Sequence, residues 1–266
     1  MIASGPAAAA QARPATAAAL FCGEGLHKRF GGVQAVRDIS LNVPRGGVFA
    51  IIGPNGAGKS TLLNLMSGLY QPDAGRMIFD GVDLVGLQAH KRVRLGLART
   101  FQKLRLFKQL SVLGNVIAAS HIHHDIPAWQ YVVHAAAFGR DHARCRAQAI
   151  KLLGFVGLEG RASVQAASLA YGEQRMLELA RALATSPRLL MLDEPAAGLN
   201  AAEVERLLER IRLLREDGMT IIVVEHNMDL VMEISDRVLV MDYGQGTPAE
   251  VQANPGVIAA YLGAMT

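Results

Sequence analysis

The sequence predicts an α/β fold with a helical subdomain inserted into it, and three observations carry that prediction. Short continuous apolar runs, "VFAIIG" (48–53), "RLLMLDEP" (188–195) and "TIIVVEH" (220–226), read as strands buried on both faces of a parallel sheet. Each is followed by a helical pattern, at 59–70, 200–217 and 227–235, which is the strand-then-helix order of α/β proteins. From about 103 to 168, by contrast, helical patterns dominate and strand signals are few.

The elements follow in order. Residues 1–20, "MIASGPAAAAQARPATAAAL", form an Ala-rich tract broken by Pro6 and Pro14 and read as a disordered tail rather than a targeting segment. "VRDISLNV" (36–43) alternates as a half-buried strand should, and "PRGG" (44–47) turns the chain into the run at 48–53. "SVLGNVIAASHI" and "RDHARCRAQAIKLLGFVGL" are the clearest helices of the insertion, with "HIHHDIPAWQYVVHAAAFG" between them irregular. One domain over 21–264 is expected, with the helical subdomain at about 103–186.

Composition sets limits. Half of the 266 residues are hydrophobic (51%), enough for a substantial core. No apolar run reaches the roughly 18–20 residues that span a bilayer, so a soluble or membrane-peripheral chain is expected. A net charge of +4 is too small to argue for nucleic acid, and none is expected as a partner. Cys22 and Cys145 lie far apart without ligand spacing, which fits a reducing compartment.

"GPNGAGKST" (53–61) follows a predicted strand and opens a predicted helix, the context that a phosphate-binding loop requires. Gly53, Pro54, Asn55, Gly56, Ala57, Gly58, Lys59, Ser60 and Thr61 are its candidate residues. Glycines let backbone N–H groups close around phosphate oxygens, Lys59 supplies charge to the β- and γ-phosphates, and the Ser60 hydroxyl is a natural Mg2+ ligand. "LLMLDEP" supplies the second half. Asp193 stands at the end of a buried strand, where α/β ligands bind, and would hold Mg2+ through water. Glu194, pointing the other way along the strand, is free to act as general base on the attacking water. His226 closes a third strand and could orient that water.

A second glycine-containing helix start, "SLAYGEQR" (168–175), raises the question of whose phosphate it would read. Here the chain resembles ABC transporter ATPase subunits. The motif order is theirs over about 21–264: phosphate loop, glutamine, an LSGGQ-like segment, a hydrophobic run ending in Asp-Glu, and a histidine. The resemblance implies a P-loop NTPase of ABC type with a mixed sheet core, binding ATP and Mg2+ and hydrolysing ATP. It implies that Leu169, Ala170, Tyr171, Gly172, Glu173 and Gln174 complete the nucleotide site of a second ATPase subunit. Gln102, ending "RTFQ", would reach Mg2+ and the water, and Phe30, in "RFGG", would stack on adenine.

"LAYGEQR", "LDEPAAGLN", "RTFQ", "KRFGGVQAV" and "AYLG" are similar to the ATP-binding subunit of branched-chain amino acid (LIV-type) uptake systems. Such importers pair two different ATPases with two membrane permeases and a periplasmic binding protein, at the cytoplasmic face of the bacterial inner membrane. Related systems import urea or amides, and soluble non-transport ABC ATPases are the other alternative. The pattern also departs from the family. Ala170 and Tyr171 stand for a serine and a glycine, which weakens the helix cap, and Asn200 stands for an aspartate. About four residues are missing after Gly244, which should shorten or delete an edge hairpin and lower stability without changing the fold. The seven Lys/Arg of 91–108 suggest a surface facing a permease or lipid headgroups. "HIHHD" (121–125) lacks a ligand set on one helix face, and no metal is expected there.

Overall fold

The computed structural model describes residues 19–123, 135–241, 244–252 and 254. Two sheets organise them. The first is antiparallel: β1 (Ala19–Phe30) pairs on one side with β2 (Val33–Pro44) and on the other with β4 (Ala74–Phe79), beyond which lies β5 (Val82–Asp83). The second runs in the order β10-β9-β3-β8-β7-β6: β3 (Gly47–Ile52), β6 (Leu97–Arg99), β7 (Leu189–Asp193), β8 (Thr220–Val224), β9 (Arg237–Val240) and β10 (Gly244–Gly246). Five of these strands are parallel, and β10 runs antiparallel at the edge.

Strand periodicity explains why the central runs are apolar throughout. Leu189 and Met191 of β7, with Ile222 and Val224 of β8, face a core shared with the antiparallel sheet and with helix α1 (Lys59–Ser67). Leu190, Leu192, Ile221 and Val223 face the opposite side. There they meet α5 (Tyr171–Ala184) and α6 (Ala201–Glu216). Successive side chains alternate faces, so a strand covered on both must be apolar at every position. The same core runs on through Val112 and Val116 of α3 (Val112–Ser120) and Leu153 of α4 (Ala135–Phe155). These helices therefore share their core with the sheet. Short helices α2 (Ala89–Arg94), α7 (Met228–Ile234) and α8 (Pro248–Gln252) complete the described layers.

Several expectations need correction. The first strand begins at Ala19, inside the tract read as tail, and Leu20 is buried; residues 1–18 lie outside the described residues. That strand, β4, β5 and β6 were not recognised. Two glycines and repeated register shifts blur the alternation of β1. The segment read as irregular up to 139 is helical from Ala135, in keeping with the helix propensity of its alanines. The edge hairpin survives in shortened form, with Gly244 opposite Val240 and Gly246 opposite Val238.

The basic run at 91–108 is not one surface. Arg92 is fully buried and donates to the carbonyls of Leu65 (2.6 Å), Met66 (3.0 Å), Leu84 (2.6 Å) and Leu87 (3.0 Å), stapling the end of α1 to the chain before α2. Burial pushes its guanidinium down to about 10. Arg99 is also buried, against Asp193. Lys91, Arg94, Lys103, Arg105 and Lys108 remain exposed. Of "HIHHD", His124 and Asp125 lie outside the described residues.

Candidate functional site

The candidate site lies at the carboxyl ends of β3, β7 and β8. The loop from Gly53 to Gly58 joins β3 to α1, and its shape depends on glycine. Gly58 has φ +92°, and a Cβ there would lie 2.0 Å from the carbonyl oxygen of Ala35 in β2. A side chain at this position is excluded both by the left-handed backbone and by a neighbouring main chain that cannot yield. Lys59 folds back over the loop and donates to the carbonyls of Gly53 (2.5 Å) and Pro54 (3.0 Å). Burial lowers its pKa, and the charges of Glu194 and Asp193 oppose that shift. Ser60 is exposed on the first turn of α1, with Thr61 half-buried beside it.

Asp193 ends β7. One of its carboxylate oxygens, Oδ2, accepts from Arg99 Nη2 at 2.7 Å, and the other, Oδ1, is buried with no hydrogen-bond partner. Arg99 also donates to Asn64 Oδ1 (2.6 Å) and Ser67 Oγ (3.2 Å) of α1. An orphaned carboxylate oxygen near an exposed hydroxyl and a loop shaped for phosphate suits a divalent cation. Mg2+ is commonly held by one or two carboxylates and the phosphates of its substrate, so no larger acidic cluster is required.

Glu194 follows the strand and does not belong to it. Its φ is +46°, an uncommon backbone for a residue with a side chain. This turn, rather than strand alternation, sets the direction of its side chain. Its Oε2 accepts from Gln102 Nε2 at 2.8 Å. Local strain of this kind clusters at functional sites. His226 lies just past β8 with an exposed ring, its Nδ1 3.9 Å from Glu225 Oε2.

Phe30, at the β1–β2 turn, is 43% exposed and meets Tyr70 edge to face at 5.1 Å, with Lys28 Nζ 5.7 Å from its ring centre. It is a surface aromatic, not a core one. Residues 169–174 make their own-chain contacts away from the phosphate loop. Ala170 is the N-cap of α5 and has no side-chain acceptor to offer, but Glu173 Oε2 accepts from its N–H at 3.0 Å. Leu169 is buried, and Gln174 donates to its carbonyl at 2.9 Å. A Cβ on Gly172 would lie 2.2 Å from Glu203 Oε1, so glycine here provides room for α6. Tyr171 turns its hydroxyl to the carbonyl of Ala197 in its own chain, 3.1 Å away.

Sequence reasoning missed Arg99, Glu225, Glu178 and Arg175. Glu225 is buried and accepts from the N–H groups of Ala196 (3.0 Å) and His226 (3.3 Å); burial raises its pKa. Glu178 is also raised by burial, against the opposing bonds from Phe101 and Arg175. The signals available were slight: Arg99 stands three residues before Gln102, and Glu225 adjoins His226.

A phosphate loop, an acid pair at a strand end and a glutamine on the second acid define a P-loop nucleotide hydrolase. Comparison with known proteins narrows the class. Residues 36–197 match the ABC transporter family, and residues 245–265 match the branched-chain amino acid ATP-binding cassette transporter family. The high-affinity branched-chain amino acid transport ATP-binding protein BraF of Pseudomonas aeruginosa is 44% identical over 90% of this chain and 96% of its own length. LivG of Escherichia coli, described in the same words, is 42% identical over the same shares. A solved ATP-binding cassette of an ABC transporter in its ADP conformation superposes with a TM-score of 0.78 at 28% identity, covering 92% of this chain and 99% of that one. The chain belongs to the ATP-binding subunits of ABC transporters, ATPases that work with membrane permeases. Among the described residues no helix is long and apolar enough to cross a membrane.

Proposed function

We propose that this chain is the MgATP-hydrolysing subunit of an importer for branched-chain amino acids. The match of residues 245–265 and the names of the relatives support the substrate class. The observation that carries the hydrolytic reading is the 2.8 Å bond between Gln102 and Glu194 beside the phosphate loop.

In this reading Gly53–Thr61 cradle the phosphates of ATP and Lys59 leaves its resting carbonyls to neutralise them. Ser60, Asp193 and Gln102 hold Mg2+, which supplies charge neutralisation at the phosphates. Glu194 accepts the proton of the attacking water, and Gln102 holds both the carboxylate and that water in place. His226 orients the water from the end of β8. Phe30 stacks on adenine. Leu169–Gln174 present the start of α5 to the γ-phosphate bound by a second ATPase subunit, so neither chain completes a site alone.

The partners are then a second, different ATPase, two permeases and, through them, a periplasmic binding protein, with this chain at the cytoplasmic face of the inner membrane. A cavity of about 540 Å³ beside Gln102, lined by Phe101, Phe107, Arg105 and Arg181 with buried Glu178, supports docking of a permease segment there. A pull-down of the tagged chain from its own membranes in mild detergent tests the assembly. Recovery of two permeases and a second ATPase is expected. Recovery from the soluble fraction alone, with ribosomes or nucleic acid, would overturn the transport reading and leave the ATPase.

A further inference from the structure

We propose that Tyr171 and Arg175 form a positioning relay that ties the start of α5 to the two loops flanking Glu194, and so sets the attitude of Gln102. It rests on the reading of Glu194 and Gln102 as the hydrolytic pair.

The relay begins with Arg175, whose side chain is 5% exposed. A guanidinium has five N–H donors, and all five have acceptors. Nη1 donates to the carbonyl of Phe101 (3.0 Å) and to Glu178 Oε2 (3.4 Å). Nη2 donates to the carbonyl of Gln102 (2.9 Å) and to the Tyr171 hydroxyl (2.8 Å), and Nε donates to the same hydroxyl (3.1 Å). Glu178 accepts from the N–H of Phe101 at 3.2 Å, so the chain at 101–102 is held through both donor and acceptor groups.

The phenol carries the connection to the second loop. Having accepted from Arg175, the Tyr171 hydroxyl spends its proton on the carbonyl of Ala197. Ala197 in turn donates its N–H to the carbonyl of Glu194 at 3.2 Å. Gly198 completes the fit: its φ is +78°, and a Cβ there would lie 3.0 Å from the Tyr171 ring. The two loops beside Glu194, one carrying Gln102 and the other Ala196–Asn200, thus end on one tyrosine–arginine pair of α5. Tyr171 is 44% exposed, and its hydroxyl bonds to Arg175 and to loop main chain rather than to the apolar core. Loss of the hydroxyl therefore cuts the link between the two loops, leaves Arg175 on the chain at 101–102 and leaves the core packed.

The test is MgATP hydrolysis by the full-length chain in its purified membrane assembly, for wild type, Tyr171→Phe, Gln102→Ala and the double variant. In Tyr171→Phe, kcat is expected to fall about tenfold, with KM for ATP changed by less than about twofold, the scale of one lost charge-assisted hydrogen bond. The fall should vanish in the Gln102→Ala background, because residues acting through one group are non-additive. Arg175→Lys should lower kcat at least as far as Tyr171→Phe, since an ammonium cannot reproduce the fork that also holds the carbonyls of Phe101 and Gln102. An unchanged kcat in Tyr171→Phe, a rise in KM alone, or an equal fall in both backgrounds would overturn the relay. An unchanged kcat in Gln102→Ala itself would instead remove Gln102 from the hydrolytic pair, a failure of the underlying reading that the other variants would not mimic.

Discussion

The phosphate loop at 53–61 and the start of α5 at 169–174 each form a helix N-terminus that includes glycine, and they are built by opposite means. In the first, the main chain does the shaping: Gly58 sits at φ +92° against the carbonyl of Ala35, and no other residue fits. In the second, side chains do it. The cap at Ala170 has no acceptor, Glu173 takes the N–H instead, and Tyr171 and Arg175 bolt the helix to its neighbours. Glycine at 172 has a helical backbone and provides space alone, for Glu203. A site made from backbone tolerates few sequences. One made from side chains can exchange a serine and a glycine for other supports.

The largest effect expected is at Glu194, where both helix starts are tested together. Glu194→Gln should bind ATP and lose turnover by about 10²–10⁴-fold, the range of a general base. It should accumulate a nucleotide-bound dimer with the second ATPase subunit that needs the start of α5, visible by gel filtration of the two subunits together with ATP; normal turnover would remove Glu194 from the base role. Next come two alanines that separate the two constructions. Gly58→Ala meets a fixed carbonyl at a left-handed position and should abolish ATP binding and cost about 1–3 kcal/mol in a urea melt. Gly172→Ala meets the end of a flexible glutamate, so Glu203 can swing away. The price is then its capping bond to the Asn200 N–H, about 0.5–2 kcal/mol, with ATP binding by the chain itself intact. Equal losses of ATP binding in the two would break the distinction.

A smaller gain should come from Ala170→Ser. The backbone at 170 (φ −60°, ψ 157°) already suits an N-cap, so a serine should add about 0.5–2 kcal/mol. A melting temperature that stays put would show that the bond from Glu173 already does the work of the cap. The smallest effect concerns Glu225, which burial makes a weaker acid in the folded chain. Its raised folded pKa gives stability that is present below the ordinary carboxylate value and lost as pH rises through the folded value. Glu225→Gln should therefore match wild type in acid and exceed it in stability at neutral and higher pH. Melts across that span that show a constant difference would count against the burial argument.

How much could be read in advance follows the same division. The phosphate loop, the strand ending in Asp193, and the helices that follow these strands were legible because backbone constraints and local periodicity leave their mark within a few residues. Strand alternation was the wrong ground for reading Glu194, which lies past the strand in a left-handed turn. Arg92 and Arg99 looked like surface charge because nothing nearby in sequence announces the carbonyls and the carboxylate that bury them.

By itself, the sequence determined that the chain folds as alternating strands and helices around a nucleotide loop, and which residues stand at the strand ends. Local propensity and spacing suffice for that. The tertiary structure decided which of those residues act on one another. Gln102 meets Glu194 across 92 residues and Arg99 meets Asp193 across 94, and Tyr171 turns inward to Ala197. Such pairings arise when separately formed elements pack, because a buried charge or hydroxyl must find its partner among whatever the packed neighbours present.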